Sequence, residues 1–99
     1  QDFATAKILL DKSIKVNSRD SKSYYHRGIV LLNLKKYENA VRDFNSYLQL
    51  NFSNGQAFYY RGLAYKGLMK LDLACKDLTE AQSLGVEVNQ QELQGVCNK

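Results

Sequence analysis

The five residues Tyr24-Tyr25-His26-Arg27-Gly28 return as Phe58-Tyr59-Tyr60-Arg61-Gly62, so the two glycines stand 34 positions apart. The correspondence runs on: the stretch from Lys36 to Phe44 aligns on the same period with the stretch from Lys70 to Leu78. One period upstream, the frame places Phe3, Ala6 and Leu10 where Tyr37, Ala40 and Phe44 stand. This recurrence matches the length of a helix–turn–helix unit, which buries its apolar face only by stacking on the next copy. The expected architecture is all-α, a stack of antiparallel helix pairs. It comprises about two and a half repeats and a short C-terminal capping helix. A single domain over 1–99 divides into 2–17 (the second helix of a truncated repeat), repeats at 21–54 and 55–88, and a cap at 89–99.

Local patterning agrees with that division. Phe3, Ala6, Leu10 and Ile14 fall at three- and four-residue steps, which predicts a helix over 2–17. Asn17 to Ser21 is polar and turn-prone, with Asp20 or Ser21 placed to cap a helix over 22–34. Residues 37–50 form the next helix, and Asn51-Phe52-Ser53-Asn54-Gly55 reads as a loop because Asn-Gly marks a turn. The pair then repeats over 56–68 and 71–84, with Gly85 supplying a left-handed end. A short helix over 89–98 follows through Leu93 and Val96.

Composition excludes several classes. Proline is absent, and 44% hydrophobic with 24% charged residues suits a packed domain rather than bulk disorder. No apolar run approaches the ~18 residues of a membrane span. The chain starts at Gln1 rather than Met and shows no secretory signal pattern, which reads as a processed chain or an excised segment, and its compartment stays open. Residues 1–36 hold eight Lys/Arg against three acids, whereas 37–99 hold six against seven. No basic run exceeds two residues, so solvated lysine-rich helix faces are the favoured reading over a nucleic-acid surface. Cys75 and Cys97, with His26 as the sole histidine, do not compose a metal site. Two buried free thiols are favoured, and one disulfide is the alternative in an oxidising compartment. No cofactor is expected.

These residues resemble the tetratricopeptide repeat (TPR) family, whose pattern sets large, Gly, Ala and aromatic residues at fixed offsets. Tyr24, Gly28, Leu31, Tyr37, Ala40 and Phe44 fill it in one repeat, with Tyr47 where the family prefers Ala. Phe58, Gly62, Tyr65, Leu71, Ala74, Leu78 and Ala81 fill it in the other, and Phe3, Ala6, Leu10 and Ser13 fit the half repeat. The resemblance covers 2–88 and implies that the helix pairs form a right-handed superhelical stack. Phe52 and Val86 replace the proline that often closes a repeat, which leaves the loop geometry open.

A glycine inside a helix costs about 1 kcal/mol relative to Ala, so Gly28 and Gly62 predict close helix contacts, with Ala40 and Ala74 as the small partners. Arg27 and Arg61 precede the glycines, and Asp43 and Asp77 each lie sixteen residues later, which suggests the ion pairs Arg27–Asp43 and Arg61–Asp77. In the leading half repeat the matching Arg/Lys and Asp positions hold Ile8 and Leu9. Two aliphatics on a face expected to meet solvent imply a cover, either an upstream helix or a second copy in a homodimer.

The resemblance implies a protein-interaction module that binds a peptide or partner helix in the concave groove of the first helices. The groove positions are Lys22, Tyr25, His26, Ile29 and Asn33, then Gln56, Tyr59, Tyr60, Leu63 and Lys66. Some members grip the terminal carboxylate of chaperone tails with paired Lys and Asn. Tyr25, His26, Ile29 and Tyr60 lack those asparagines, which argues against that activity here. His26 has no nucleophile at a useful helical step and the acids are scattered, so catalysis is not expected. Alternatives are a structural segment of a longer solenoid, self-association through Ile8 and Leu9, and, less favoured, an RNA-binding repeat.

Overall fold

The computed structural model describes residues 2–97, so the two ends of the expected domain, Gln1 and residues 98–99, lie outside the described residues. Among the described residues six helices follow one another with no strand: α1 (Phe3–Val16), α2 (Ser21–Asn33), α3 (Tyr37–Leu50), α4 (Gly55–Gly67), α5 (Leu71–Ser83) and α6 (Gln90–Cys97). Each packs on its neighbour in the chain, and α2 also meets α4, giving a body of 44 × 24 × 20 Å. The chain is thus an all-α stack of helix pairs. No helix among the described residues is long and apolar enough to cross a membrane.

Helix ends explain how the pairs turn. At the end of α2, Lys36 N–H donates to Leu31 C=O (2.9 Å) and Lys35 N–H to Leu32 C=O (3.0 Å). The same two bonds close α4, from Lys70 to Tyr65 and from Met69 to Lys66, each 2.9 Å. This crossed pattern needs one left-handed residue. Lys35 (φ 62°) and Met69 (φ 60°) occupy it although neither is glycine. The reverse turn, from α3 to α4, uses side chains instead. Asn54 Oδ1 accepts from the N–H groups of Gln56 and Ala57, capping α4, and Asn54 Nδ2 donates to the Tyr47 hydroxyl at 2.7 Å. Tyr47, the departure from the family pattern, therefore fixes the loop that lacks a proline.

The core runs along the stack in three clusters: Leu31, Ala40, Phe44 and Ala64; Tyr47, Leu48 and Ala57; and Ala74, Leu78, Ala81, Val88 and Val96. Gly28 and Gly62 do sit at helix crossings, but the atoms nearest to a Cβ there are not those of Ala40 and Ala74. A Cβ on Gly28 would lie 2.8 Å from the Phe44 ring, and one on Gly62 would lie 3.0 Å from Leu78. The alanines are fully buried in the same clusters. One turn of helix separates the expected partner from the observed one, because the crossing directs the larger side chain into the gap left by glycine.

The cysteines also depart from expectation. Cys75 and Cys97 are bonded, with Cα atoms 4.9 Å apart, which joins α5 to α6. The favoured free thiols are replaced because α6 folds back along α5, burying Val96 and bringing the two sulfurs together. Sequence spacing alone could not show that return.

Candidate functional site

Both suggested ion pairs are present, and both are forked. Arg27 Nε and Nη2 donate to the two carboxylate oxygens of Asp43 at 2.7 and 2.8 Å, while Arg61 meets Asp77 at 2.7 and 2.9 Å. The aspartates are buried, and no buried side-chain nitrogen or oxygen among the described residues lacks a partner. These are not loose surface pairs: two parallel charge-assisted bonds fix the angle of α2 on α3 and of α4 on α5. Hydrogen bonding to the aspartates holds both arginines further toward the charged form. Each guanidinium has a third contact, from Nη1 of Arg27 to Asp11 Oδ1 (2.9 Å) and from Nη1 of Arg61 to Asn45 Oδ1 (2.8 Å). The pairs engage the arginines of α2 and α4, so neither guanidinium is free.

Helices α2 and α4 contain no acidic residue. Their shared face is continuous: the Tyr25 and Tyr60 rings meet edge to face at 6.2 Å, and Tyr60 stacks on Phe44 at 6.1 Å. Tyr25, Ile29 and Tyr60 are half-buried against the Phe44 cluster. Their role is thus divided between finishing the core and lining the surface. Leu63 is also half-buried but belongs to none of the core clusters, which makes it the freest apolar side chain of the set. Lys22, His26, Asn33, Gln56 and Lys66 are exposed around them. The Asn33 amide turns back to the Ile29 carbonyl at 2.8 Å.

Tyr59 differs from the rest. Its hydroxyl donates to Glu92 of α6 at 2.7 Å, and burial together with that carboxylate pushes its ionisation up to about 12. Burial likewise raises Tyr25, with Tyr60 and Tyr47 adding to it. Tyr59 and Glu92 border an open depression of about 720 Å³ with Gln82, Glu87 and Asn89. Sequence reasoning missed Glu92, and no repeat equivalence pointed to it. It also missed Asp11, although Asp11 and Arg27 share the sixteen-residue offset of the other pairs.

Ile8 and Leu9 stay exposed on α1, at 54% and 59%. No residue of α1 is buried, whereas the equivalent helices α3 and α5 bury five and four. Among the described residues no group of three or more His, Cys, Asp or Glu could hold a metal ion.

This is a helical-repeat scaffold that offers a surface. Residues 21–54 match the family model for the tetratricopeptide repeat. Solved structures agree. One is the first TPR of Spaghetti (RPAP3) bound to the HSP90 peptide SRMEEVD, with 26% identity over 96% of this chain and 77% of that one and a TM-score of 0.87. Another is the second TPR domain of human RPAP3 in complex with the HSP70 peptide SGPTIEEVD, at 26% identity, 98% and 82% coverage and a TM-score of 0.85. MamA residues 41 to the end from Desulfovibrio magneticus RS-1 is similar at 27% identity and a TM-score of 0.82. The match covers 85% of this chain and 48% of that one, so this chain spans about half the length of that protein. Among curated proteins no match is found.

Proposed function

We propose that this interaction module receives an extended peptide or a partner helix on the concave face of α2 and α4, and that it acts by binding, without chemistry. Within it, 2–17 serves as a half repeat, 21–54 and 55–88 as repeats and 89–99 as a cap. The observation that carries the reading is the half-buried apolar row of Ile29, Tyr60 and Leu63, ringed by exposed Lys22, His26, Gln56 and Lys66. Apolar centres with polar rims suit interfaces, and tyrosine supplies area and a hydroxyl at low entropic cost. Two repeats support modest affinity, about micromolar or roughly 8 kcal/mol.

The two structurally similar TPR domains were solved with acidic chaperone peptides. Tyr25, His26, Ile29 and Tyr60 stand where asparagines and lysines would grip such a tail, so those peptides should bind weakly here. The test is selection from a peptide-display library on the wild type and on Leu63→Glu. Peptides enriched on the wild type, lost on Leu63→Glu and shifting NMR signals of 22–33 and 56–66 support the groove. Enrichment indifferent to Leu63→Glu overturns it. If the selected ligands were instead RNAs whose affinity fell steeply with salt, the nucleic-acid reading would replace it.

A second reading rests on Ile8 and Leu9. The position of Leu9 is filled in the inner repeats by Asp43 and Asp77, each buried under the preceding helix. A covering helix, from a longer solenoid or a second copy, would bury Leu9. Sedimentation equilibrium of the wild type and Leu9→Glu reads the second-copy form directly. A monomer at every concentration removes it.

A further inference from the structure

We propose that the Cys75–Cys97 bond is a redox clasp: it holds α6 down as the end wall of the groove, and reduction releases that wall. The inference rests on the groove reading for its consequence, but its physical content is separate. The helix α6 has eight residues, too few to persist alone in water. What docks it is Val96 and half-buried Leu93 against Ala74, Leu78 and Ala81, the sulfur bond one residue beyond Val96, and the Glu92 contact with Tyr59. Its other face, Gln91, Gln94 and Gly95, is exposed. Apart from the backbone through residues 84–89, the disulfide is the one covalent tie among the described residues between α6 and the stack.

Glu92 belongs to the wall and Tyr59 to the groove, so the clasp reaches the binding face through one hydrogen bond. With α6 in place, Tyr59 is fixed and the depression beside it is bounded by Val86, Asn89 and Glu92. With α6 released, the Glu92 side of that boundary is lost and the Tyr59 hydroxyl loses its partner. Release requires a dithiol reductant. Its thiolate attacks one sulfur, the S–S bond breaks, and a second thiolate resolves the mixed disulfide. Two electrons and two protons end on Cys75 and Cys97 as thiols, and the reductant leaves as a disulfide.

Hydrogen–deuterium exchange on the chain with and without dithiothreitol tests this. Exchange over 89–97 should accelerate on the order of 100-fold on reduction, the scale a disulfide contributes for a closed loop of about this size. Exchange over 21–50 should not change. Cys97→Ser should reproduce the reduced state without reductant. Spectrophotometric titration should show the most alkaline tyrosine moving down toward 10 in the reduced chain. Glu92→Gln should move that tyrosine while leaving 89–97 protected, which separates the hydrogen bond from the clasp. Protection of 89–97 that survives both reduction and Cys97→Ser would overturn the proposal. Should no peptide bind in either redox state, the groove reading falls while exchange still decides the clasp.

Discussion

In the first full repeat Gly28 lies under the flat ring of Phe44; in the second, Gly62 faces the branched end of Leu78. In the first, Arg27 joins two carboxylates, Asp43 and Asp11; in the second, Arg61 joins one carboxylate, Asp77, and the amide of Asn45. The 34-residue spacing and the left-handed turn between the paired helices are the same in both. The difference shows which contacts the repeat demands and which it tolerates. A forked Arg–Asp pair and an absent Cβ at the crossing occur twice, whereas the filler residue and the third arginine contact vary.

The largest effect should come from removing the fork. Arg61→Met strands Asp77 as a buried charge without its partner, which costs about 3 kcal/mol. Arg27→Met should cost a similar amount and should also loosen α1, because Asp11 loses the contact that ties it to α2. Urea titration of each variant, read beside exchange over 3–16, checks both parts. Near-wild-type midpoints would mean that solvent already screens the pairs. The double variant Arg61→Met with Asp77→Leu should recover much of the loss, since apolar replacements of a buried pair are often neutral.

Next comes the crossing. Gly28→Leu and Gly62→Leu should each destabilise by ~1–3 kcal/mol through overpacking. Gly28 should suffer more, because a Cβ there would lie 2.8 Å from the Phe44 ring, whereas one on Gly62 would lie 3.0 Å from Leu78 and 3.2 Å from Asp77 Cβ. Melting curves of the two variants give the order directly. Equal shifts, or a larger one at Gly62, would show that backbone movement absorbs the strain.

A smaller effect separates the repeats by pH. Hydrogen bonds from Lys7 first, and then Arg27, hold Asp11 below its ordinary value, against the opposing pull of burial. A depressed carboxylate contributes stability that is present above its unfolded value near 4 and is lost as pH falls through the folded value. Asp11 is well exposed, so the loss stays below ~1 kcal/mol. Exchange over α1 should therefore quicken below pH 4, and Asp11→Asn should abolish that dependence. A wild-type profile identical to that of Asp11→Asn would remove Asp11 as the tie.

Much of this was written in the period. Arg27, Asp43, Arg61 and Asp77 announced themselves because two charges recur at one offset, which chance seldom arranges. The glycine crossings were legible, but their partners were not: spacing names a helix face, and the crossing angle then selects Phe44 over Ala40. The clasp was illegible because Cys75 and Cys97 carry no periodic signal, and their pairing depends on α6 folding back. Leu63 and Ile29 enter the proposed groove by repeat position alone. The division of Tyr25 and Tyr59 between core and surface needed the rings and the Glu92 contact.

The smallest prediction tests whether the Asn45 contact is a weakened copy of the Asp11 one. Asn45→Asp places a carboxylate where Arg61 Nη1 already points, giving the second repeat the charge pattern of the first. The contact is exposed, so the gain should be about 0.5 kcal/mol and should vanish in ~1 M salt. The guanidinium then meets two aspartates in both repeats, and α3 is tied to α4 as α1 is tied to α2. Thermal melts at low and high salt measure it. A gain that persists in high salt would mean that the helix itself, rather than the bridge, prefers the acid. No gain at low salt would mean that the fork to Asp77 already satisfies Arg61, leaving the third contact as packing alone.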